Sequence, residues 1–284
     1  MDEIRRIPAN EIRSAVARLF VEANHCLGKD VETALTEAEG NEQVPIAKSV
    51  LESLKENLAV AATRGVPVCQ DTGMAVVFAE IGSLVHVEGD TLENAVNLGV
   101  RDAYTEGKLR LSVVRDPLYD RVNTGDNTPA VLHIRTVEGD RLTLTAAPKG
   151  FGSENMSRIC MLTPSATEEE VVRFVVETVR LAGSNPCPPI TLGVGIGSDF
   201  EGCAILAKHA LTRSLGEPSS DPKYAALERR ILSEINRLGI GPQGFGGETT
   251  ALAVHIETAP THIAGLPIAV NVNCHVVRHR SVTL

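Results

Sequence analysis

The chain has 284 residues, of which 43% are hydrophobic and 22% are charged, and its formal net charge is -9 at pH 7. This composition is typical of a globular protein with a sizeable core and argues against extensive disorder. An acidic balance without a cluster of Lys and Arg argues against a nucleic-acid-binding surface. The chain shows neither a basic-then-apolar leader nor an apolar run of ~18 residues, so we expect a cytoplasmic protein without a membrane span.

Six segments have the apolar spacing of helices, with caps, prolines or glycines at their ends. Two of these segments begin with candidate capping boxes, Asp90 with Glu93 and Thr167 with Glu170. The helices are predicted at residues 10–27, 44–64, 90–106, 167–183, 202–213 and 221–239.

Short apolar and β-branched runs between these segments predict strands. The strands are expected at residues 74–81, 190–196, 250–256 and 266–270, and a β-hairpin is expected over 131–146. Residues 109–129 have no clean period and are rich in turn formers, which predicts a long loop of functional interest. Helices and strands alternate without a tandem repeat or a flexible linker. We therefore predict a mixed α/β fold in which residues 1–284 form a single domain, with two lobes.

The chain contains six cysteines. In a reducing compartment they do not suggest a disulfide framework, so each is a core residue, a metal ligand or a nucleophile. Cys26 lies near a predicted helix end, Cys160 lies between Ile159 and Met161, and Cys203 lies in a predicted helix. We interpret all three as small buried hydrophobic residues.

The other three cysteines, Cys69, Cys187 and Cys274, each lie at a break in regular structure. Cys187 is flanked by prolines, which excludes it from a helix interior or a central strand. Three thiolates from distant loops could hold an iron–sulfur cluster with one iron left open. Their long separations in sequence do not distinguish this arrangement from three unrelated cysteines.

Two kinds of nucleotide-binding motif are alternatives to a metal site. Residues 192–198 (LGVGIGS) follow a predicted strand, but Ser198 stands where a dinucleotide fingerprint needs its third glycine. No phosphate-binding loop with a Gly-Lys-Ser/Thr ending is present. Both classes are therefore disfavoured.

Five longer segments together closely resemble the class I fumarase family, the iron–sulfur hydro-lyases that also include L(+)-tartrate dehydratase. The resemblance extends from about Ile12 to the C-terminus and covers the cluster-bearing N-terminal region of that family. The segments are VCQDTG (68–73), KGFGSEN (149–155), NPCPP (185–189), GFGGETT (244–250) and THIAGLPIAVNVNCH (261–275).

This resemblance implies a [4Fe-4S] cluster held by Cys69, Cys187 and Cys274, with the fourth iron facing the substrate. Such an iron would act as a Lewis acid on the substrate hydroxyl and on a carboxylate oxygen. Dehydration of a 2-hydroxy dicarboxylate needs that help because hydroxide is a poor leaving group.

The resemblance also implies roles for five neighbouring residues. Gln70 and Asp71 are expected to contact the substrate, and Arg110 is expected to bind a substrate carboxylate through its fork of donors. Gly152 lies in the matching glycine loop, and His262 matches the active-site histidine of the family. Asp71 and His262 are therefore the candidate general acid and base.

Two of these assignments have alternatives. Arg101, Arg115 and Arg121 lie near Arg110 in sequence and could bind the carboxylate instead. His262 could be a strand-end histidine whose ring is satisfied by the backbone.

The implied function is that of the α subunit of a fumarate hydratase, which interconverts fumarate and (S)-malate in the tricarboxylic acid cycle. The family pairs this region with a smaller β subunit, so we expect a homodimer of this chain within a heterotetramer. The alternatives are the α subunit of L(+)-tartrate dehydratase and, more distantly, a cluster-free binding subunit. Either enzyme would act on a small C4 dicarboxylate.

Overall fold

The computed structural model describes residues 4–284. Its helices are α1 (Ala9–His25), α2 (Lys29–Asn41), α3 (Pro45–Arg64), α4 (Leu92–Glu106), α5 (Phe151–Glu154), α6 (Glu168–Ala182), α7 (Phe200–Ala210) and α8 (Pro222–Asn236), with a 3-10 turn at Pro242–Gly244. Its strands are β1 (Arg5–Pro8), β2 (Met74–Gly82), β3 (Val85–Glu88), β4 (Val131–Val137), β5 (Leu142–Lys149), β6 (Arg158–Leu162), β7 (Ile190–Ser198), β8 (Ala251–Thr261), β9 (Leu266–Asn273) and β10 (Arg280–Thr283). The predicted mixed α/β class is confirmed.

The chain divides into two compact units. The first unit contains the described residues up to Leu27, Ala61–Gly150 and Arg278–Leu284. The second unit contains Gly28–Val60 and Phe151–Val277. Within residues 4–284, no helix combines the length and the apolar character that crossing a membrane requires.

The first unit has a four-stranded sheet in the order β10-β5-β2-β4. Its core combines apolar residues of α1 and α4 with the buried faces of β2 and β5. The strand β2 lies between β4 and β5, parallel to the former and antiparallel to the latter. The predicted hairpin over 131–146 is therefore wrong, because its two strands pair with β2 instead of with each other.

A close backbone approach accompanies this insertion. The N–H of Gly82, at the end of β2, donates to the carbonyl of Arg141 at 2.8 Å. A Cβ atom at Gly82 would lie 2.4 Å from the carbonyl oxygen of Gly139, so only glycine lets the β4–β5 connection pass this close.

The second unit has a sheet in the order β6-β9-β7-β8. Here β7 is parallel to β8 and antiparallel to β9, so the sheet repeats the arrangement of β2, β4 and β5. In each sheet one strand, β2 or β7, separates two later strands that a short loop connects. The sequence shows no repeat, and the shared topology becomes visible only from the pairing.

The glycines of β7 have a packing role. A Cβ atom at Gly193 would lie 1.9 Å from the carbonyl oxygen of Ala207, and one at Gly195 would lie 2.1 Å from that of Cys203. Helix α7 therefore packs directly on the backbone of β7, while the alternate residues of β7 join the core formed with α6 and α8. Because these glycines lie inside a strand and not in a turn before a helix, they do not form a dinucleotide fingerprint.

The helix boundaries largely follow the predicted signals. The capping box of Thr167 and Glu170 is confirmed at the start of α6. The box predicted for Asp90 and Glu93 is wrong, since the N-cap of α4 is Thr91, whose side chain accepts from the N–H of Asn94. Six elements were not anticipated, namely α2, α5, β1, β3, β6 and β10. The predicted loop at 109–129 is confirmed, with only an isolated bridge between Val114 and Asn123.

Candidate active site

The segment around Cys69 is irregular and follows α3, which ends at Arg64 and is followed by Gly65 with a φ of +60°. The N–H of Val68 donates to the carbonyl of Asn24 at 2.9 Å, and Asn24 is fully buried. The thiol of Cys69 is half-buried and lies 3.3 Å from Oε1 of Gln70. The cysteine is therefore presented on a loop that is fastened just before it.

Hydrogen bonds to buried side chains hold the backbone of the residues after Gln70 in place. Oδ1 of Asp71 accepts from the N–H of Gly73 at 3.0 Å. The hydroxyl of Tyr104 lies 3.0 Å from the carbonyl oxygen of Thr72 and 2.9 Å from that of Gly73. Burial raises the pKa of Tyr104 above its usual value, so the hydroxyl stays protonated and remains a donor. The amide of Asn127 is a second donor to the carbonyl of Gly73, at 3.2 Å.

Arg278 is a buried cation that the sequence analysis missed. Its side chain is 4% exposed, and its Nη1 donates to Oδ1 of Asn24 and to the carbonyl of Asp71, both at 2.8 Å. A Cβ atom at Gly150 would lie 3.2 Å from Oδ2 of Asp71 and 3.4 Å from Nη2 of Arg278. The carboxylate of Asp71 and the guanidinium of Arg278 therefore both lie close to the backbone of Gly150, which has no side chain. The available signal was a charged residue shortly after a buried strand.

Arg110 lies beside this segment. The hydroxyl oxygen of Thr72 accepts from the backbone N–H of Arg110 at 2.9 Å, which brings the arginine next to Asp71. The guanidinium of Arg110 has no hydrogen-bond or ion-pair partner among residues 4–284. The other arginines have local contacts: Arg101 with Asp102 at 3.8 Å, Arg115 with the Thr124 carbonyl at 3.5 Å, and Arg121 with the Pro117 carbonyl at 2.6 Å. This difference favours Arg110 as the anion-binding arginine.

In the second unit the loops of Cys187 and Cys274 are neighbours. Cys187 is exposed and has a φ of +55°, and Cys274 is half-buried directly after β9. The backbone N–H and Nδ1 of His275 lie 3.4 and 3.0 Å from the carbonyl oxygen of Cys187. Two of the three singled-out cysteines, 87 residues apart in sequence, are thus held in adjoining loops.

Gly152 and His262 also belong to the second unit. Gly152 lies in α5, and a Cβ atom there would meet nothing within 4 Å. His262 is exposed just after β8, and its Nδ1 accepts from the N–H of Ala264 at 3.1 Å. The backbone contact proposed as an alternative is therefore present at Nδ1. Because Nδ1 accepts this hydrogen bond, the neutral imidazole carries its proton on Nε2. Nε2 is therefore the nitrogen at which His262 can exchange a proton.

The remaining cysteines differ from one another. Cys203 is fully buried in α7, its thiol donates to the carbonyl of Gly195 at 3.1 Å, and burial raises its pKa to about 11. Cys160 is half-buried in β6. Cys26 is exposed, so its interpretation as a buried residue is wrong: it stands just past the last turn of α1, where the chain has left the core-facing stripe.

Among the described residues, no three His, Cys, Asp or Glu side chains form a group that could hold a single metal ion. A cluster has a different requirement, because each cysteine binds a different iron and the ligand sulfurs do not converge on one point. The adjoining loops of Cys187 and Cys274 fit this requirement. Cys203 does not, since its thiol is enclosed by the sheet.

Each of the two units is mixed α/β. Irregular segments carry Cys69, Arg110 and Arg278 in the first unit and Cys187 and Cys274 in the second unit. A family model described as fumarate hydratase (Fumerase) matches residues 13–283. The chain belongs to this family, which confirms the resemblance found in the sequence.

Two relatives are similar over nearly their whole length. A Methanocaldococcus jannaschii protein named "Putative L(+)-tartrate dehydratase subunit alpha" is 42% identical over 269 residues, which is 93% of this chain and 94% of the relative. The L(+)-tartrate dehydratase subunit alpha of Escherichia coli strain K12 is 33% identical over 279 residues, which is 97% of this chain and 90% of the relative.

Proposed function

We propose that this chain is the α subunit of a hydro-lyase that adds water to, or removes it from, a C4 dicarboxylate. Membership of the fumarate hydratase family supports the reaction class. The observation within the structure that supports it most directly is the hydrogen bond from the backbone N–H of Arg110 to the hydroxyl of Thr72, the residue that follows Asp71. In this proposal residues 1–284 act as one catalytic domain.

The proposed cofactor is a [4Fe-4S] cluster bound by Cys69, Cys187 and Cys274. The support is the position of all three on irregular segments, together with the adjoining loops of the last two. When bound, a cluster with one iron lacking a cysteine supplies a Lewis acid for a hydroxyl and a carboxylate oxygen.

The chain's own residues bind the substrate and move protons. Arg110 would pair with the carboxylate through two parallel N–H groups, and Gln70 would donate to a further oxygen. Asp71 would exchange a proton through its carboxylate, whose Oδ1 accepts from the N–H of Gly73. His262 would exchange a proton at Nε2, since Nδ1 accepts from Ala264. Dehydration needs one group to take the C–H proton and another to protonate the departing hydroxide.

Two substrates are candidates. Fumarate, with (S)-malate as its hydrated form, is the expectation from the sequence and gives the family its name. L(+)-Tartrate is favoured by the names of the two relatives, which match over almost their entire length. Tartrate carries one hydroxyl more than malate, and a site built to bind that hydroxyl discriminates strongly against the analogue lacking it.

The proposed partner is a smaller β subunit, as the word alpha in the names of the relatives suggests. We further propose that two copies of this chain associate within a heterotetramer. Catalysis needs proton-transfer groups on both faces of the substrate and the exclusion of bulk water, and the partner would complete both.

The test is a comparison of substrates under anaerobic conditions, with the reconstituted chain assayed alone and with its β subunit. We expect turnover of one of the two substrates, and only with both subunits present. Equal turnover by the isolated chain would refute the two-subunit proposal. A folded chain that takes up no iron and turns over neither substrate would instead favour the cluster-free binding subunit.

A further inference from the structure

Two consecutive carbonyl groups of the Cys187 loop each face two donors from a single residue. The oxygen of Cys187 lies 3.4 Å from the backbone nitrogen of His275 and 3.0 Å from its Nδ1. The oxygen of Pro188 lies 2.7 Å from the backbone nitrogen of Gln243 and 2.7 Å from its Nε2. Gln243 and His275 thus fasten the proline-rich loop from two different segments of the second unit.

The chemistry of the donors assigns each contact. A carbonyl oxygen only accepts, so Nδ1 of His275 must bear a proton to bond to Cys187. Nε2 of Gln243 also lies 3.3 Å from that Nδ1, which is longer than its distance of 2.7 Å to the carbonyl oxygen of Pro188. The side-chain amide of Gln243 therefore acts on the carbonyl of Pro188.

The backbone conformation of Gln243 does not favour glutamine, so the turn alone does not account for this residue type. Its φ is +53°, in the left-handed region, between Gly241 at +68° and Gly244 at +82°. Glycine adopts this conformation without strain, and asparagine tolerates it better than most residues. Glutamine adds to this turn only a side-chain donor long enough to reach Pro188.

We propose that Gln243 is a positioning residue that fixes the Cys187 loop next to Cys274. The bond to Pro188 would hold the proposed ligands Cys187 and Cys274 at a constant separation, and so slow the loss of a bound cluster. This inference rests on the proposed function, because it presumes that both thiols bind the cluster. Gln243 itself would contact neither the substrate nor the iron.

The experiment compares three substitutions. All three variants keep the backbone N–H that donates to Pro188 and lose only the side-chain donor. Gln243→Asn and Gln243→Gly suit the backbone conformation but lack a side chain long enough to reach Pro188, whereas Gln243→Glu keeps the length and loses the side-chain N–H. Each variant is reconstituted without oxygen, and two quantities are measured: the thermal unfolding midpoint of the iron-free chain and the rate of iron loss in air. We expect the Gly variant to unfold no earlier than wild type, and all three to lose iron about fivefold faster, as the loss of one hydrogen bond would produce.

Asn236 provides a matched control. It is the last residue of α8, at the start of the loop that carries Gln243. Its Oδ1 accepts from the N–H groups of Thr250 and Ala251 at 2.9 and 2.8 Å, without contacting the Cys187 loop. Asn236→Ala should lower the unfolding midpoint and leave the rate of iron loss as in wild type.

The outcomes separate the two proposals. Iron loss at the wild-type rate in the Gln243 variants, with the cluster of wild type intact, would overturn the positioning role. Faster loss in Asn236→Ala to the same degree would do so as well, because the effect would then follow general loop stability. A wild-type chain that binds no iron would refute the proposed function, and the inference with it.

Discussion

The hydroxyl of Thr72 accepts a hydrogen bond from the backbone N–H of Arg110 at 2.9 Å and lies 3.4 Å from the carbonyl oxygen of the same residue, although the two are 38 positions apart. Thr72 is 2% exposed, so the pair is fixed inside the first unit. It explains how the backbone of Arg110 is held in place although the loop has no regular structure. It also distinguishes Arg110 from the arginines near it in sequence.

Replacing Arg110 by lysine tests this assignment. Lysine keeps the charge but lacks the planar fork, so we expect kcat/KM of the two-subunit enzyme to fall at least ~10-fold, mainly through a higher KM. Arg115→Lys is the matched control and should change kcat/KM less than twofold, roughly the scatter expected for a surface substitution. Equal losses in both variants would remove the special role of Arg110.

Serine substitutions of the six cysteines test the cofactor. Cys69→Ser, Cys187→Ser and Cys274→Ser should each prevent cluster assembly, measured as iron per chain after anaerobic reconstitution, because a hydroxyl is a poor ligand for this cluster. Cys26→Ser, Cys160→Ser and Cys203→Ser should keep the full iron content. Serine at position 203 can still donate to Gly195, which makes it a fair control for a buried site. A full complement of iron in any of the first three would contradict the ligand set.

Removing the buried guanidinium of Arg278 should destabilise the first unit. In Arg278→Met, Oδ1 of Asn24 and the carbonyl of Asp71 lose their donor, and we expect the free energy of unfolding to fall by roughly 2–4 kcal/mol. Arg229→Met, at an exposed position, should change it by no more than about 0.5 kcal/mol. Chemical denaturation of the iron-free chain measures both, and similar values would show that Arg278 contributes no more than a surface residue.

The packing of α7 on β7 predicts intolerance at Gly195. The added methyl group of Gly195→Ala would meet the carbonyl of Cys203 at 2.1 Å and the nitrogen of Ala207 at 2.7 Å, so the helix must shift, at a cost of roughly 3 kcal/mol. Gly40→Ala, in α2, meets nothing within 4 Å and should stabilise by up to about 1 kcal/mol. Unfolding midpoints that move in the same direction would show that the close approach is not limiting.

His25 makes the stability of the chain sensitive to acid. Burial lowers its pKa below the ordinary value of 6.5, and its buried Nε2 has no partner among the described residues. The unfolded chain therefore binds the proton more readily, and stability should fall as the pH drops below ~6.5. In His25→Leu this fall should be smaller. At about pH 8, where histidine is neutral in both states, the difference in denaturation midpoint between His25→Leu and wild type reports packing alone. If the same difference is found at about pH 5.5, the titration of His25 does not contribute to stability.

The local patterns of the sequence were sufficient for much of the secondary structure. The stripe of α6 and its capping box lie within a few residues of each other, so the chemistry that starts the helix is present in the sequence itself. The proline at the start of α8 acts in the same way. The five long motifs also identified the family, because they specify residue types at many positions at once.

Strand pairing and the surroundings of the site were decided by the tertiary structure. The strands β4 and β5 have the pattern of a hairpin, but β2 pairs with both of them, and a pairing between distant segments leaves no trace in a local pattern. In the same way, the sequence disfavoured a nucleotide motif at the glycines of β7, but only the structure shows that α7 packs against them.

The contacts that Arg278 and Gln243 make around the candidate site could not be inferred from the sequence for a related reason. Arg278 and Gln243 act on carbonyl groups of loops far away in the chain, and backbone carbonyls are the same for every residue type. The sequence by itself determined which side chains bring the chemistry, because thiols, carboxylates and guanidinium groups are properties of single residues. Only the tertiary structure decided which backbone atoms those side chains meet, because hydrogen bonding depends on distance and direction in space.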